Sequence, residues 1–332
     1  PSGRASEWRT PEAFQVRGRE DAVVIVDPLS TGARLAYEAQ LRGYRVIRCL
    51  SAPFPEALLR MVPESCRDLQ FVETITNTGG PTETARQLLD LPYHITACLI
   101  GCESGVEFFD ALTEAMPGFP TNGAASSPAR RDKYLMGECV RRAGLRAVKQ
   151  QECRVWRGDA ANFVSELGVR EDDPAGPWCV LKPTKSAGTD GVFISKTVKD
   201  ARECFDKILG AANVFGESNQ TVLVQEFLKG TEYVIDSVSL EGQHKCVAIW
   251  EYDKRPCNGA QFVYFGMRLY QSADGARERT MVDYVHKVID ALGVRHGPTH
   301  AEVMWLDGEG APCLVEVGCR PHGGEGTFVD LV

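Results

Sequence analysis

Short apolar runs alternate with amphipathic stretches over the first hundred residues. AVVIVD (22–27) is apolar almost throughout, as a strand covered on both faces should be. PLSTG follows it, then helical spacing from Ala33 to Gly43, with Gly43 where a C-cap glycine belongs. YRVIRCL (44–50) is the next strand, so this segment reads as a βαβ unit. The alternation continues through Leu69–Thr74, a helix over Thr82–Leu89, the strand ITACLIG (95–101) and a helix from Val106 to Met116. It predicts an open parallel sheet with helices for residues 21–122. Residues 1–20 are polar and aperiodic and read as an extension.

The turn-rich TNGAASSPAR (121–130) marks a boundary. Beyond it the pattern predicts a helix over Ala129–Ala143 closed by Gly144, a strand over Val148–Trp156 and a helix near Asp159–Leu167. EDDPAGP (171–177) reads as a surface loop. The strands WCVLKP, GVFIS and TVLVQEF then surround one helix (199–210). The last hundred residues are largely β: EYVIDSVS, HKCVAIWEY, FVYFGMRLY, a helix (278–292), HAEVMWL and PCLVEVG.

At 332 residues the chain is long enough for about two domains with their own cores. Composition (43% hydrophobic, 25% charged) excludes disorder as the main state. The net charge of −8, with no Lys/Arg block, argues against nucleic acid as a partner. Apolar runs of five residues or fewer leave no membrane-spanning segment. PSGRASEWRT has neither an apolar signal region nor an initiator Met, so a processed chain or a fragment is expected. Twelve cysteines are scattered through apolar runs with no CxxC pair. That pattern predicts core thiols, a reducing compartment and a cytoplasmic location rather than zinc ligation or a disulfide framework.

Several segments carry candidate chemistry. In LKPTKSAGTDGV (181–192) a strand ends in Lys182 and a small-residue loop leads to another strand. Its backbone N–H groups could cradle phosphate, with Lys182 as a point charge; a flexible hairpin turn is the plain alternative. QEFLKGTEYVID (225–236) is a strand, a short connection and a strand, suited to reading an adenine edge, with Glu232 placed for ribose hydroxyls; a surface linker fits equally. RRDKY (130–134) offers Lys133 to a phosphate or a basic face to solvent. EYDKRPCNG (251–259) reads as a charged loop whose Lys254 and Arg255 suit a carboxylate or acyl phosphate, or as an exposed hairpin tip. His300 and His322 read as structural hydrogen bonders, and Cys102, in GCESG, has no base to pair with.

HAEVMWLDGEGAPCLVEVGCR (300–320) is the most specific segment. It reads as a hairpin turning at residues 308–310, which pairs residue 307 with 311 and Glu302 with Glu316. Two facing carboxylates among apolar neighbours repel each other and raise one of their pKa values. A hard divalent cation relieves that repulsion, and Mg²⁺ suits one or two carboxylates plus substrate phosphates; one side chain leaning into solvent is the plain alternative. Arg320, four residues after Glu316, is placed to steady a phosphoryl group or a tetrahedral centre.

In this order, the motifs resemble the ATP-grasp superfamily, and within it the carboxylate–amine ligases related to L-amino-acid (dipeptide-forming) ligases. The resemblance covers residues 22–330 and implies an α/β (α+β) fold. A parallel pre-ATP-grasp domain (21–122) would precede a linker helix and small lid subdomain (123–228). A C-terminal subdomain (229–332), with part of it absent, would follow and clamp ATP against the lid. Lys133 and Lys182 match the phosphate-holding lysines, and Ser186, Ala187, Gly188 and Gly191 the mobile loop over them. Gln225, Glu226, Phe227 and Leu228 match the adenine hinge, and Glu232 the ribose acid. Glu302 and Glu316 match the Mg²⁺ ligands, with Mn²⁺ as the alternative ion. Arg320, followed by Gly323 and Gly324, matches the arginine at the acyl phosphate, with Lys254 and Arg255 as further catalytic groups. Glu103, Ser104 and Gly105 fall where the carboxylate substrate binds. The implied reaction joins a carboxylate and an amine, both expected to be amino acids, through an acyl phosphate with release of ADP and phosphate. Relatives are often homodimers. Two positions depart from the pattern: Gln225 replaces the first hinge acid, and Gly318 replaces the Asn of Glu-x-Asn, so one metal ligand is missing. Carboxylase-like or phosphotransfer chemistry, or a nucleotide-binding module without turnover, are the rival readings.

Overall fold

The computed structural model describes residues 19–324, apart from 60–62, 187, 214–215, 217, 271–272 and 274. The expected extension, residues 1–20, lies almost wholly outside the described residues. Four parallel strands come first: β1 (Asp21–Val26), β2 (Arg45–Leu50), β3 (Glu73–Thr76) and β4 (His94–Ile100), in the order β3-β2-β1-β4. Helices α1 (Thr31–Leu41), α2 (Glu56–Leu59), α3 (Pro81–Leu89) and α4 (Val106–Ala115) complete this unit. The strand order reverses direction between β1 and β4. Ligands of such sheets sit outside the carboxyl ends of the strands at that point, and residues 101–105 leave β4 there.

The 121–130 boundary is a 3-10 turn (Ala124–Arg130), and the helix expected from Ala129 begins four residues later as α5 (Lys133–Arg142). The reason is local. The side chain of Asp132 accepts from the amides of Tyr134 and Leu135 and caps the helix there. Next come β5 (Gln150–Cys153), α6 (Ala161–Glu166), β6 (Cys179–Lys182), β7 (Phe193–Ser195), α7 (Val198–Ile208) and β8 (Val222–Glu226). Their antiparallel sheet, β5-β8-β6-β7, has its own core of Val164, Leu181, Phe205, Ile208, Val222 and Val224.

The third sheet, β11-β10-β9-β12-β13, is antiparallel: β9 (Thr231–Leu240), β10 (Gln243–Cys257), β11 (Ala260–Leu269), β12 (Gly297–Leu306) and β13 (Ala311–Gly318). Helix α8 (Ala276–Ala291) covers one face of it. Strand side chains alternate between faces. Tyr233, Ile235, Ala301 and Val303 therefore pack with Met281, Val285 and Val288 of α8. The residues between them, Glu232, Asp236, His300 and Glu302, face the other way. The same core takes in Met136 and Val140 of α5 and Val24, Val26 and Ile100 of the first sheet.

The basic run RRDKY is not a solvated face. Arg130, Arg131 and Lys133 are all buried. Arg130, fully inaccessible, donates to Asp110 on α4 (Nε···Oδ2 3.0 Å) and to the carbonyls of Leu292 after α8 (2.9 Å), Asn122 and Gly123. Burial raises Asp110, more than Arg130 and Ser127 lower it. Removing one partner of such a pair leaves the other charge uncompensated. Arg130→Met is therefore expected to destabilise the fold by about 3–5 kcal/mol, read from urea unfolding. A loss below about 1 kcal/mol, the range of an exposed pair, would contradict that account.

Candidate active site

A cavity of about 660 Å³ opens between the second and third sheets. Lys133, Lys182, Ser186, Gly188, Gln225 to Leu228, Glu232, Lys254, Glu302, Glu316, Arg320, Gly323 and Gly324 line it. Segments far apart in sequence thus meet in one place. Apolar side chains fill the gaps between them, including Phe262, Tyr264, Met267 and Met304.

Glu302 and Glu316 do face each other. The route to that pairing differs from the expected one. Leu306 pairs with Ala311, so the turn holds four residues (307–310) rather than three. A bulge then shifts the register between Val303↔Leu314 and Glu302↔Glu316, and the extra residue cancels the longer turn. Because of the bulge, consecutive Val315 and Glu316 both line the cavity. The carboxylate that repulsion raises is also a different one. Glu232 lies diagonally from Glu302 on the neighbouring strand. Burial first, and then the charge of Glu302, push Glu232 up to about 7. Burial acts to raise Glu302 too, but Lys254 and His300 outweigh it and hold Glu302 far below the carboxylate range.

Each acid has a cationic or imidazole partner. Lys254 Nζ bonds Glu232 and lies 3.8 Å from Glu302. Its ammonium sits over the rings of Tyr252 and Tyr264, 4.8 and 4.7 Å from their centroids. Lys133 Nζ is 3.1 Å from Glu316 and donates to the Ser186 carbonyl at 2.7 Å, which anchors the loop between β6 and β7. In that loop Gly188 and Gly191 have φ of +64° and +67°, a conformation that favours glycine. Gly188 lines the cavity and Gly191 does not; a Cβ on Gly191 would come within 2.9 Å of Pro183. Ala187 lies outside the described residues. Burial lowers Lys182 to about 8 despite Glu316 nearby.

Two expected hinge side chains are occupied elsewhere. The Glu226 carboxylate accepts from Arg146 and from the amide of Lys149, both at 2.8 Å. Gln225 bonds Gln150 at 2.9 Å. Any reading of an adenine edge here falls to the backbone of residues 226–228.

Arg255 does not belong to the site. EYDKRPCNG is not a loop: β10 runs through Cys257, and the turn is Asn258–Gly259. Strand alternation therefore sends Lys254 inward and Arg255 outward. Arg255 is exposed and bonds Asp253 at 2.7 Å. Ser104 and Gly105 are also structural. The Ser104 hydroxyl donates to buried Asp27 at 2.7 Å, and a Cβ on Gly105 would lie 2.9 Å from the same carboxylate. Glu103, by contrast, accepts from Arg131 and Arg320, each at 2.9 Å. Burial would raise Glu103, but Arg320 and Arg131 hold it below its usual range. Gly318 makes this possible: a Cβ there would lie 2.8 Å from the Glu103 carboxylate and 3.0 Å from the Arg320 guanidinium carbon. The space of the missing Asn is filled by an ion pair. Cys102 is no thiolate, since burial raises it.

Asp236, Tyr252 and His322 went unrecognised as a group. Asp236 accepts from His300 (3.0 Å), His322 (2.8 Å) and Trp250 (2.8 Å), and Tyr252 Oη lies 2.9 Å from His322 Nε2. The available signal was a lone Asp in the apolar strand YVIDSV, in phase with Glu232.

The donor set suits a hard divalent cation: two facing carboxylate oxygens with lysines beside them for phosphate. No helix among the described residues is long and apolar enough to cross a membrane. No two of the twelve cysteines are bonded, and most are buried.

Residues 176–328 match the family model for the ATP-grasp domain. The chain is 31% identical over 324 residues to dapdiamide A synthase of Enterobacter agglomerans, covering 95% of this chain and 71% of that one. Among solved structures, L-amino acid ligase from Bacillus licheniformis superposes with TM-score 0.65 at 19% identity, covering 93% of this chain and 68% of that one. N5-carboxyaminoimidazole synthase from Aspergillus clavatus, in complex with ADP and an aminoimidazole ribonucleotide, gives 0.65 at 13% identity, covering 94% and 73%. The two structural likenesses concern the fold.

Glu232 sets a pH dependence. It is raised from 4.5 to about 7 on folding, so the folded state binds the extra proton between those values. Its stabilising contribution is present below pH 4.5 and is lost as pH rises to about 7. Glu302 titrates below that window. Without nucleotide or divalent ion, the melting temperature is expected to fall across pH 4.5–7, and Glu232→Gln to flatten that fall. An unchanged slope in the variant would assign the dependence to another group.

Proposed function

The chain belongs to the ATP-grasp family of carboxylate–amine ligases, and on that premise we propose that it joins a substrate carboxylate to an amine at the expense of ATP. The observation that carries this reading is the convergence of Lys133, Lys182, Glu302, Glu316 and Arg320 on one cavity. In the proposed reaction the carboxylate attacks the γ-phosphate, giving an acyl phosphate and ADP, and the amine then displaces phosphate. Phosphoryl transfer relies mainly on positioning and electrostatic stabilisation, which explains the charge density. Lys133 and Lys182 would hold phosphate oxygens, with Lys182 desolvated and so a strong local charge. Glu302 and Glu316 would hold Mg²⁺, which would neutralise phosphate charge. The 183–192 loop, tethered at Ser186 by Lys133, would cover the phosphates and exclude water from the acyl phosphate. Residues 226–228 and Glu232 would seat the nucleoside.

Arg320 faces the reacting carboxylate, and Glu103 fixes the angle of its guanidinium. The carboxylate substrate therefore enters from the side of the first sheet. We take both substrates to be amino acids, the class made plausible by the dapdiamide synthase and the L-amino acid ligase. The aromatic and methionine residues of β11 near the cavity suit an apolar side chain on one of them.

The decisive experiment is ADP and phosphate release from Mg·ATP against an amino-acid mixture, in the wild type and in Glu316→Ala. Amino-acid-dependent release that drops to background in the variant is expected. Tight ATP binding with no release under any mixture would overturn the ligase reading. Gly318→Ala pushes a methyl into the Arg320–Glu103 pair. It is expected to lower kcat on the order of 10²-fold, the cost of a misplaced group near the reacting centre, while leaving the Kd for ATP unchanged. A matching loss of ATP affinity would place Gly318 at the nucleotide instead.

A further inference from the structure

Resting on the ligase reading, we propose that Tyr252, His322 and Asp236 form a relay that deprotonates the incoming amine. The free amine enters as an ammonium and cannot attack an acyl phosphate until it loses a proton. A relay for that proton must touch the cavity that Arg320 also lines, and Tyr252 and His322 both line it.

Proton positions follow from the hydrogen bonds. Burial would raise Asp236, but its bonds to His300 and His322 hold it far below the usual carboxylate range. An ionised carboxylate only accepts, so His322 carries its proton on Nδ1, 2.8 Å from Asp236 Oδ2. Its Nε2 then offers a lone pair, and the Tyr252 hydroxyl at 2.9 Å donates to it. Tyr252 oxygen keeps lone pairs for a donor in the cavity. Burial lowers His322, leaving a neutral imidazole ready to accept a proton. Burial, then the Glu302 charge, raise Tyr252 well above the normal phenol range. Tyr252 therefore cannot hold a lasting negative charge and must pass its proton on as it takes one up.

The step balances. One ammonium N–H breaks and its proton goes to Tyr252 oxygen, while the Tyr252 O–H breaks and its proton goes to His322 Nε2. The freed nitrogen lone pair forms the C–N bond. The C–O bond to phosphate breaks, and phosphate leaves with that electron pair and the second nitrogen proton. The resulting imidazolium lies against ionised Asp236, and later gives its proton to water. Tyr252 is the group that touches the amine; His322 and Asp236 act through it, and Trp250 (Nε1···Oδ2 2.8 Å) fixes the Asp.

Asp236, His300 and His322 also have donor atoms within 4.8 Å of one another, as a metal site would. Here both Asp236 oxygens already accept N–H donors at 2.8–3.0 Å, which is hydrogen-bond geometry.

The test compares two nucleophiles on the same acyl phosphate: an amino-acid ammonium, and hydroxylamine, which is largely unprotonated at neutral pH. In Tyr252→Phe and in His322→Gln the ratio of hydroxamate to amide formed is expected to rise by about 10²–10⁴-fold, the usual worth of a general base. The change should lie in kcat for the amine and not in its KM. The double variant should be no worse than either single one, because members of a relay act as a unit. An unchanged ratio, with both products falling together, would reduce these residues to a structural role. One equivalent of bound zinc in the wild type, lost in His322→Gln, would likewise overturn the relay. Failure of the ligase reading itself is distinguishable, since the wild type would then release no ADP in response to a carboxylate.

Discussion

Glu232, Asp236, Glu302 and Glu316 share one face of one sheet, and four acids set so close in a partly buried site are tolerable only with positive groups and hydrogen-bond donors beside them. Isolated charges in a low-dielectric interior cost more than any fold of this size can supply. Lys254 therefore covers Glu232 and Glu302, Lys133 covers Glu316, and two imidazoles and an indole serve Asp236. The arrangement defines the site twice over. It holds Asp236 and Glu302 ionised while Glu232 is pushed up to about 7, and it places Lys133 where phosphate is proposed to lie. On the proposed reading nucleotide binding would exchange counter-charges rather than add them: with Glu302 and Glu316 holding a divalent ion, Lys133 would be free to turn from Glu316 to phosphate.

Two arginines connect this face to the rest of the molecule, and they do different work. Arg130 is fully enclosed and ties α4, the 122–123 turn and the end of α8 together through one guanidinium. Arg320 borders the cavity and is held by Glu103 from the turn after β4. The first is architecture; the second places a residue of the turn after β4 one ion pair away from the proposed reacting carbon. That explains why the carboxyl end of β4 matters to a site built otherwise on the other two sheets.

Much of the fold was legible because it rests on periodicity. The first strand is a continuous apolar run, whereas β3 (ETIT) is not, and the strand expected at Leu69–Thr74 begins at Glu73; that Glu232 shares a face with Glu302 depends on the β9–β12 register, which residue types do not encode. The Glu302–Glu316 pairing came out right through two departures that cancel, a longer turn and a bulge, and neither leaves a mark in composition. Arg255 was misplaced because turn-forming residues in EYDKRPCNG outweighed the alternation that continues through them. The roles of Glu103 and Asp236 depend on contacts spanning 217 and 86 residues, with Arg320 and His322, which no local pattern encodes.

The core has a bearing on how such chains can be divided. The segment that matches the ATP-grasp model, 176–328, includes all of the five-stranded sheet. Yet the face of that sheet opposite the cavity is buried partly by Met136 and Val140 of α5, and α8 is fastened by Tyr284 to the carbonyl of Arg146 and by Arg130 to the carbonyl of Leu292. All four of those partners outside the segment lie between residues 130 and 146. A unit of sequence ancestry and a unit of folding need not coincide, and here they part by about one helix.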